Sequence, residues 1–174
     1  MNVIIRQEDV GDYPAVGELN RLAFNQESEA KLVDMLRKNE SVFIPELSIV
    51  AEIDNEIAGY ILFTHIEIVE AAIPVATSLA LAPVAVAPSF QGKGIGGRLI
   101  ETGLDKAASL GFGSVIVLGH PGYYPRFGFL PASKWDIKCP YDVPADAFMA
   151  RELLAGALEN VPGTVRYPKE FDEV

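Results

Sequence analysis

Three glycines in a short polar loop, and a pair of tyrosines further along, are the residues of this chain whose types and spacing indicate chemistry. Gly92, Gly94 and Gly96 come directly before a stretch with helical periodicity. Because glycine has no Cβ atom, a ligand can approach its backbone closely. The first N–H groups of a helix lack partners within the helix and lie at the positive end of its dipole. Such a loop binds phosphate groups, and a turn without a ligand is the alternative.

Two nucleotide-binding interpretations of this loop are weak. Gly92-x-Gly94-x-x-Gly97 matches the dinucleotide-binding pattern, but that pattern also requires an acidic residue about 20 positions on, at the end of the next strand. Here that strand ends in Val-Leu-Gly-His, without a carboxylate. A Walker loop requires serine or threonine after its lysine, whereas Lys93 is followed by glycine.

Length and composition predict one domain, 1–174, of an ordinary globular protein. The 174 residues are 49% hydrophobic and 22% charged, and a chain of this length can bury a sizeable core. No uncharged apolar stretch is long enough to predict a transmembrane helix, and the first residues lack the layout of a signal peptide. Cys139 is the single cysteine, which excludes an internal disulfide and fits a reducing compartment. We therefore expect a cytoplasmic protein with no membrane partner.

The net charge of −10 favours some partners over others. With 14 basic and 24 acidic residues, the chain repels polyanions at long range, which disfavours nucleic acid as a partner. A cationic substrate such as an amine is attracted instead. Acidity for solubility alone is the simpler explanation of this charge.

Hydrophobic periodicity predicts alternating strands and helices. Asp9 or Asp12 is expected to cap the first helix, and Gly111 to end the third. Strands are predicted at 3–6, 47–53, 57–69, 76–86, 114–118 and around 148–154, and helices at 11–24, 28–38 and 95–110.

Pro83 lies inside the strand that leads to the glycine loop. Proline cannot donate a hydrogen bond to a neighbouring strand, so it predicts a bulge or a place where pairing stops. The strand at 76–86 is almost entirely apolar, which predicts burial on both faces. The order strand, helix, strand around the loop predicts that 76–86 and 114–118 run parallel.

The loop and its flanks resemble the acyl-CoA pyrophosphate loop of the GNAT (GCN5-related) N-acetyltransferase superfamily. Residues 91–96 fit the family pattern Gln/Arg-x-x-Gly-x-Gly/Ala, and Val84-Ala85-Val86-x-Pro88 is similar to the end of the family's fourth strand. The run at 123–129 is similar to the family's tyrosine followed by Gly-Phe. Segments 118–129, 148–153 and 163–168 are similar to the YhbS-like subgroup, and the resemblance covers nearly the whole chain.

This resemblance implies a single-domain acyl-CoA N-acyltransferase fold of the α/β class. Its sheet is mixed and mostly antiparallel, with a splayed parallel central pair, and is flanked by helices. The implied reaction transfers an acetyl group from acetyl-CoA, without a metal, by direct attack of an amine in a ternary complex. The cofactor-binding residues that it implies are Val84, Val86, Gln91, Gly92, Lys93, Gly94, Ile95, Gly96 and Gly97. In one departure, Gly-His-Pro at 119–121 replaces an asparagine of many relatives.

Tyr124 is the candidate general acid for the departing CoA sulfur. It precedes Gly128 by four residues, where the family carries its usual tyrosine. A phenol with a pKa of about 10 stays protonated at neutral pH and can donate to a thiolate. The alternatives are a packing role and the neighbour Tyr123, whose side chain is expected to point in a different direction.

The general base is not visible in the sequence, because residues 79–86 contain no carboxylate. His65 and Glu67, which share a face if their strand alternates, and His120 after the fifth strand are candidates beside water alone. Phe24 and Trp135 are candidates for the wall of an acceptor pocket, although core packing is the simpler role for both.

Two functions of different classes therefore remain. The favoured one is an acetyl-CoA-dependent N-acetyltransferase that acts on an amine of a small molecule or protein. The rival is a non-catalytic acyl-CoA-binding or regulatory module of the same fold. The sequence does not determine the acceptor, the acyl-chain preference or whether the chain forms a homodimer.

Overall fold

The chain forms nine strands and three α-helices, and the computed structural model describes all residues, 1–174. The helices are α1 (Tyr13–Phe24), α2 (Ser28–Arg37) and α3 (Ile95–Ser109). The strands are β1 (Val3–Gln7), β2 (Phe43–Ile53), β3 (Glu56–Glu70), β4 (Ile73–Val86), β5 (Ser114–Leu118), β6 (Leu130–Pro131), β7 (Ile137–Lys138), β8 (Phe148–Glu152) and β9 (Gly163–Arg166). No helix is long and apolar enough to cross a membrane.

All nine strands belong to one sheet, whose main path runs β1-β2-β3-β4-β5-β8-β6. The pairs along this path are antiparallel except β4 and β5, which are parallel as predicted. Strand β9 pairs with the far end of β3 and with the short β7. The sheet is therefore mixed and mostly antiparallel, with the parallel pair β4–β5 in the centre and a second, short parallel pair, β7–β9, off the main path.

Helices cover both faces of the sheet. Along β3, Ile61 and Phe63 belong to the hydrophobic cluster that contains α3, whereas Tyr60 and Leu62 belong to the cluster that contains α1 and α2. Successive side chains of a strand point to opposite faces, so α3 lies on one face and α1 and α2 on the other. A third cluster, next to α1 and α2, joins the sheet to the C-terminal segment.

Pro83 lies in a β-bulge, as predicted. Between the pairs Ile61–Val84 and Phe63–Leu81, one residue of β3 lies opposite two residues of β4, the second of which is Pro83. A bulge bends its strand and increases the local twist. The bend occurs just before the end of β4 that leads into the glycine loop, so it separates this end from the strands beyond.

The sequence missed some features of the fold. Strand β4 begins earlier than predicted, and only Ser78–Leu81 is buried continuously; the residues before Ser78 are largely exposed. Asp12 occupies the N-cap position of α1, as one of the two predicted alternatives, and Asp9 precedes the 3-10 turn that leads into the helix. The Asp12 carboxylate makes no capping bond to α1 and instead accepts hydrogen bonds from Arg6 and from the Asp9 N–H. The short strands β6, β7 and β9 were not predicted, because each is held by its partner strand rather than by a periodic pattern of its own. The predicted strand around 148–154 is confirmed as β8.

Candidate functional site

The two parallel strands separate shortly after they meet. Only Leu79–Val115 and Ala80–Ile116 pair between β4 and β5. The Ser78 and Ser114 hydroxyls, 2.7 Å apart, join the strands just before this point. Beyond Ala80, β4 continues towards the glycine loop without a partner from β5, which leaves an opening between the two strand ends.

Backbone groups of β4 point into this opening. The Ala87 N–H donates to the Ala58 carbonyl on the β3 side, at 2.8 Å. Hydrogen-bonding direction alternates along an antiparallel strand, so the N–H groups of Val84 and Val86 point away from β3, towards the space that β5 has left. The Val86 carbonyl accepts a hydrogen bond from the Gln91 side chain at 3.0 Å. This bond braces the glycine loop against the end of β4.

The glycine loop has the conformation that its glycines allow. Gly92 and Gly94 have φ values of +77° and +80°, a region that residues with a Cβ atom rarely adopt, and no atom lies within 4 Å of a Cβ built on either one. Gly94 is the cap of α3, which begins at Ile95. The unpaired N–H groups of the first helical turn therefore face an open space next to a backbone without side chains.

A cavity of about 400 Å³ lies at this loop. Of the residues that the sequence predicted for the cofactor, seven line it: Val86, Gln91, Gly92, Gly94, Ile95, Gly96 and Gly97. Val84 and Lys93 are not part of this lining. Three residues that were not predicted from the sequence, Phe90, Arg126 and Phe127, also line the cavity, together with Tyr123.

Two cations lie near the glycine loop in an otherwise acidic protein: Arg126 lines the cavity, and Lys93 belongs to the loop beside it. The Arg126 guanidinium lies over the Tyr123 ring, 4.7 Å from its centre, and its Nε donates to the Tyr123 carbonyl at 3.1 Å. The Lys93 ammonium lies 5.5 Å from the centre of the Phe90 ring. Both contacts hold a positive charge near the start of α3, where it adds to the attraction of the helix N-terminus for anions.

Tyr123 and Tyr124 point in different directions, as predicted. Their rings are 5.2 Å apart at an angle of 85°. Tyr123 faces the glycine-loop cavity, and its hydroxyl lies 3.4 Å from a Cβ built on Gly96. Tyr124 is 8% exposed and packs edge-on against Phe129 and over Gly119, just beyond the end of β5. Tyr123 therefore faces the cavity at the loop, whereas Tyr124 is buried beside the end of β5 and does not line that cavity.

Burial raises the pKa of Tyr124 to about 12, with a smaller contribution from the Tyr123 phenol. The causes of the raised pKa include no hydrogen bond to the Tyr124 hydroxyl. The hydroxyl is also not one of the fully buried polar groups that lack a partner. Burial penalises the charged phenolate. The side chain is therefore a neutral donor throughout the physiological range of pH.

The three candidate bases lie outside this arrangement. Glu67 forms an ion pair with Arg166 of β9, with 2.6 Å between oxygen and nitrogen. His65 belongs to β3, opposite Leu79, and lines none of the described cavities. His120 is exposed, and its Nδ1 accepts a hydrogen bond from the Gly122 N–H at 3.0 Å. The structure brings together no three side chains of the metal-binding types.

Residues 13–129 match the acetyltransferase (GNAT) family, and this segment spans the glycine loop, the splayed strands and Tyr124. The chain belongs to that family. It is a GNAT acyltransferase domain, as the sequence predicted.

Two N-acetyltransferases of Escherichia coli are similar to this GNAT chain. YhbS is 31% identical over 170 residues, which are 98% of this chain and 99% of YhbS. YjhQ is 39% identical over 139 residues, which are 79% of this chain and 76% of YjhQ. The resemblance to the YhbS-like subgroup is therefore confirmed over nearly the whole length.

Solved structures of the family share its architecture. E. coli YhbS in complex with CoA has a TM-score of 0.90 at 32% identity and covers 99% of this chain, with 93% of YhbS covered. A GNAT acetyltransferase from Brucella melitensis in complex with acetyl-CoA has a TM-score of 0.79 at 30% identity, with coverages of 98% and 99%. These similarities confirm the predicted fold class.

Proposed function

We propose that this chain transfers an acetyl group from acetyl-CoA to a primary amine by direct attack, with Tyr124 as general acid. The observation that carries this proposal is the combination of the splayed β4–β5 pair with an open glycine loop at the start of α3. Two similar structures, of YhbS and of the Brucella melitensis protein, hold CoA and acetyl-CoA. The acceptor is an amine of a small molecule or a protein.

The residues at the loop fit a CoA pyrophosphate. A Cβ atom at Gly92 or Gly94 would project into free space with no neighbour within 4 Å, so the absence of side chains there leaves the backbone open to a ligand. The N–H groups of the first turn of α3 and the cations of Arg126 and Lys93 suit the negative charges of phosphates. The N–H groups of Val84 and Val86 are then free to bind the extended arm and to polarise the thioester carbonyl.

Acetyl-CoA supplies the activated acyl group. The amine nitrogen forms a bond to the carbonyl carbon, the carbon–sulfur bond breaks, and the thiolate takes the Tyr124 proton as it leaves. The nitrogen releases one proton to solvent as it becomes an amide, and the Tyr124 phenolate regains a proton from solvent, so the step balances. One fixed N–H donor at the carbonyl contributes roughly 3 kcal/mol to lowering the barrier, and general acid catalysis contributes about 10²-fold or more. The high pKa of Tyr124 suits a donor that must stay protonated until thiolate forms.

No side chain is assigned as the general base: Glu67 is paired with Arg166, the His120 Nδ1 accepts from the Gly122 N–H, and His65 lines no described cavity. We infer that the amine attacks in its neutral form and loses its first proton to solvent before the attack. The dependence of kcat/KM on pH then follows the pKa of the amine itself. Two amines whose pKa values differ by one unit should show profiles displaced by about one pH unit.

The test of the cofactor site is calorimetric titration with acetyl-CoA, with NADH as the comparison ligand. We expect saturable binding of acetyl-CoA alone. Gly94→Val should abolish this binding, because the side chain occupies the phosphate space at a positive φ. Gly11→Val is the matched control, since a Cβ there also meets nothing within 4 Å, far from the loop and without positive φ. Normal binding by Gly94→Val would refute the loop assignment.

The test of catalysis is turnover with a panel of primary amines, measured through the release of the CoA thiol. Tyr124→Phe should lower kcat about 100-fold and leave acetyl-CoA affinity nearly unchanged. Tyr123→Phe, which removes a hydroxyl from the other phenol, should affect cofactor binding more than kcat. Acetyl-CoA binding without turnover of any amine would favour the rival function, a non-catalytic acyl-CoA-binding module.

A further inference from the structure

A second, smaller cavity lies where β4 and β5 separate, on the other face of the sheet from α3. It is lined by Ala80, Leu81 and Ala82 of β4, Ile116 and Leu118 of β5, and three aromatic residues of the C-terminal part of the chain: Tyr141, Tyr167 and Phe171. Ala80 and Ile116 are the last paired residues before the strands diverge, and their side chains belong to the cluster on the face away from α3. The cavity therefore lies at the gap where the strands separate, on the face away from α3, whereas the glycine-loop cavity lies further along, at the Val86 end of β4.

The size and lining of this cavity define what fits in it. Its volume is about 150 Å³, and all eight lining residues are hydrophobic or aromatic. An apolar protein cavity of about this volume stays dry and accepts benzene. A group of about the size of a phenyl ring or a branched butyl chain is therefore the largest apolar group that this cavity holds without rearrangement.

The aromatic wall is ordered by its own contacts. The rings of Tyr141 and Tyr167 stack at 5.4 Å and 30°, and the rings of Tyr167 and Phe171 lie 5.0 Å apart. The Tyr141 hydroxyl donates to the carboxylate of Asp172, which is exposed, at 3.1 Å. The cavity thus has an apolar interior with a negative charge beside one of its walls.

This charge distinguishes the two substrates that meet at the gap. An amine arrives mostly as a cation at neutral pH and is attracted by a carboxylate, by aromatic faces and by a protein of net charge −10. An acyl chain on CoA gains nothing from a carboxylate at this wall. The wall also comes from the C-terminal part of the chain, whereas the loop that fits CoA lies between β4 and α3.

We infer that the cavity enclosed by Tyr141, Tyr167 and Phe171 is the acceptor subsite, and that it selects primary amines bearing an apolar group of about the size of a benzene ring. The inference rests on the proposed function, since it assigns the acceptor side of the same gap. Phe24 and Trp135, the two residues that the sequence suggested for this wall, do not line the cavity. Trp135 belongs instead to a separate polar depression with Lys134 and Glu159.

The test compares 2-phenylethylamine with ethylamine as acceptors, at saturating acetyl-CoA. We expect kcat/KM for 2-phenylethylamine to be at least about tenfold higher than for ethylamine, because its phenyl ring leaves water and is buried in the cavity. Tyr141→Ala should remove most of this advantage, because it should lower kcat/KM for 2-phenylethylamine far more than kcat/KM for ethylamine. The affinity for acetyl-CoA, which binds at the glycine loop, should stay unchanged. Phe24→Ala is the matched control, because Phe24 is 36% exposed and Tyr141 is 37% exposed, and it should leave the ratio unchanged.

A binding measurement separates failure of this inference from failure of the proposed function. The CoA-saturated protein is titrated with 2-phenylethylamine by calorimetry, with the wild type and Tyr141→Ala compared. Binding that is weakened at least fivefold in Tyr141→Ala supports the subsite even if no amine is turned over, in which case the proposed function alone fails. No binding of 2-phenylethylamine, or equal turnover of both amines, overturns the subsite and leaves acetyl transfer standing. Higher activity with hexanoyl-CoA than with acetyl-CoA that is lost in Tyr141→Ala would assign the cavity to the acyl chain and also overturn the inference.

Discussion

Replacing Gly119 with alanine is the sharpest way to test whether the position of Tyr124 matters for catalysis. Gly119 directly follows β5, and a Cβ atom built on it lies 2.8 Å from Cδ2 of Tyr124 and closer still to Cε2. Ordinary contacts of this kind begin at 3.4 Å. The tyrosine ring must therefore move by about 1 Å, since it is buried against Phe129 and cannot simply rotate into solvent.

The size of the effect follows from this displacement. A misplacement of about 1 Å in a catalytic group lowers activity roughly 100-fold, which is about 2.7 kcal/mol of lost transition-state stabilisation. Crowding the core costs about 1–3 kcal/mol in the free energy of unfolding. Neither the displaced ring nor the crowding around it involves a residue of the glycine loop, so the affinity for acetyl-CoA should stay within about twofold of the wild type.

The assay is a double-mutant cycle of Gly119→Ala and Tyr124→Phe, read as kcat from the release of CoA thiol with one amine of the panel. If the methyl group acts only by moving the phenolic hydroxyl, Gly119→Ala adds little to the loss already caused by Tyr124→Phe. The double variant should then have nearly the kcat of Tyr124→Phe alone, a strong departure from additivity.

Two results would contradict this reasoning. Losses that multiply in the double variant would mean that the methyl group disturbs something other than the Tyr124 hydroxyl. Unchanged kcat in Gly119→Ala would mean that the position of the ring is unimportant for turnover. Urea unfolding of each variant at the assay temperature provides the control, because loss of folded protein would lower activity without any change in chemistry.

Three further outcomes are expected. Arg37→Met leaves the buried Glu8 carboxylate without its ion-pair partner and should cost about 3–5 kcal/mol in urea unfolding. Arg21→Met, at an exposed pair, should leave the urea midpoint nearly unchanged. The folded-state pKa of Tyr124 is about 12, above the usual value of about 10. Its neutral form therefore stabilises the fold below pH 10, and this contribution is lost as pH rises towards 12. Tyr124→Phe should make the urea midpoint fall less between pH 10 and pH 12 than it does in the wild type. Arg126→Met removes a cation from the glycine-loop cavity and should weaken acetyl-CoA binding about five- to tenfold, with a smaller effect in high salt.

Much of the fold was predictable because its patterns are local. The helix at α3 and the strand at β5 have the bounds that periodicity gave, to within one residue, and Pro83 lies in a bulge because proline cannot take part in the ladder. The short strands β6, β7 and β9 were missed because two to four residues carry no period that could be recognised.

The candidate site was predicted only in part for the same reason. Gly92 and Gly94 could be recognised from residue type alone, because glycine readily adopts the positive φ that both positions have. Arg126 gives no such signal, because an exposed arginine in a loop is ordinary until the fold brings it to the mouth of the cavity. The run Tyr-Tyr-Pro-Arg-Phe around it was the clue that was available in the sequence.

The sequence by itself determined the open glycine loop before α3, the bulge in β4 and the family, because each depends on residues close together in the chain. Only the tertiary structure decided which tyrosine faces the loop and which is buried beside the end of β5, because a 3-10 turn and the contact with Gly119 set their directions. It also decided that Tyr141, Tyr167 and Phe171 line one cavity with β4 and β5. These residues are far apart in the chain, and no local pattern links them, since their proximity comes from burying apolar surface against the sheet.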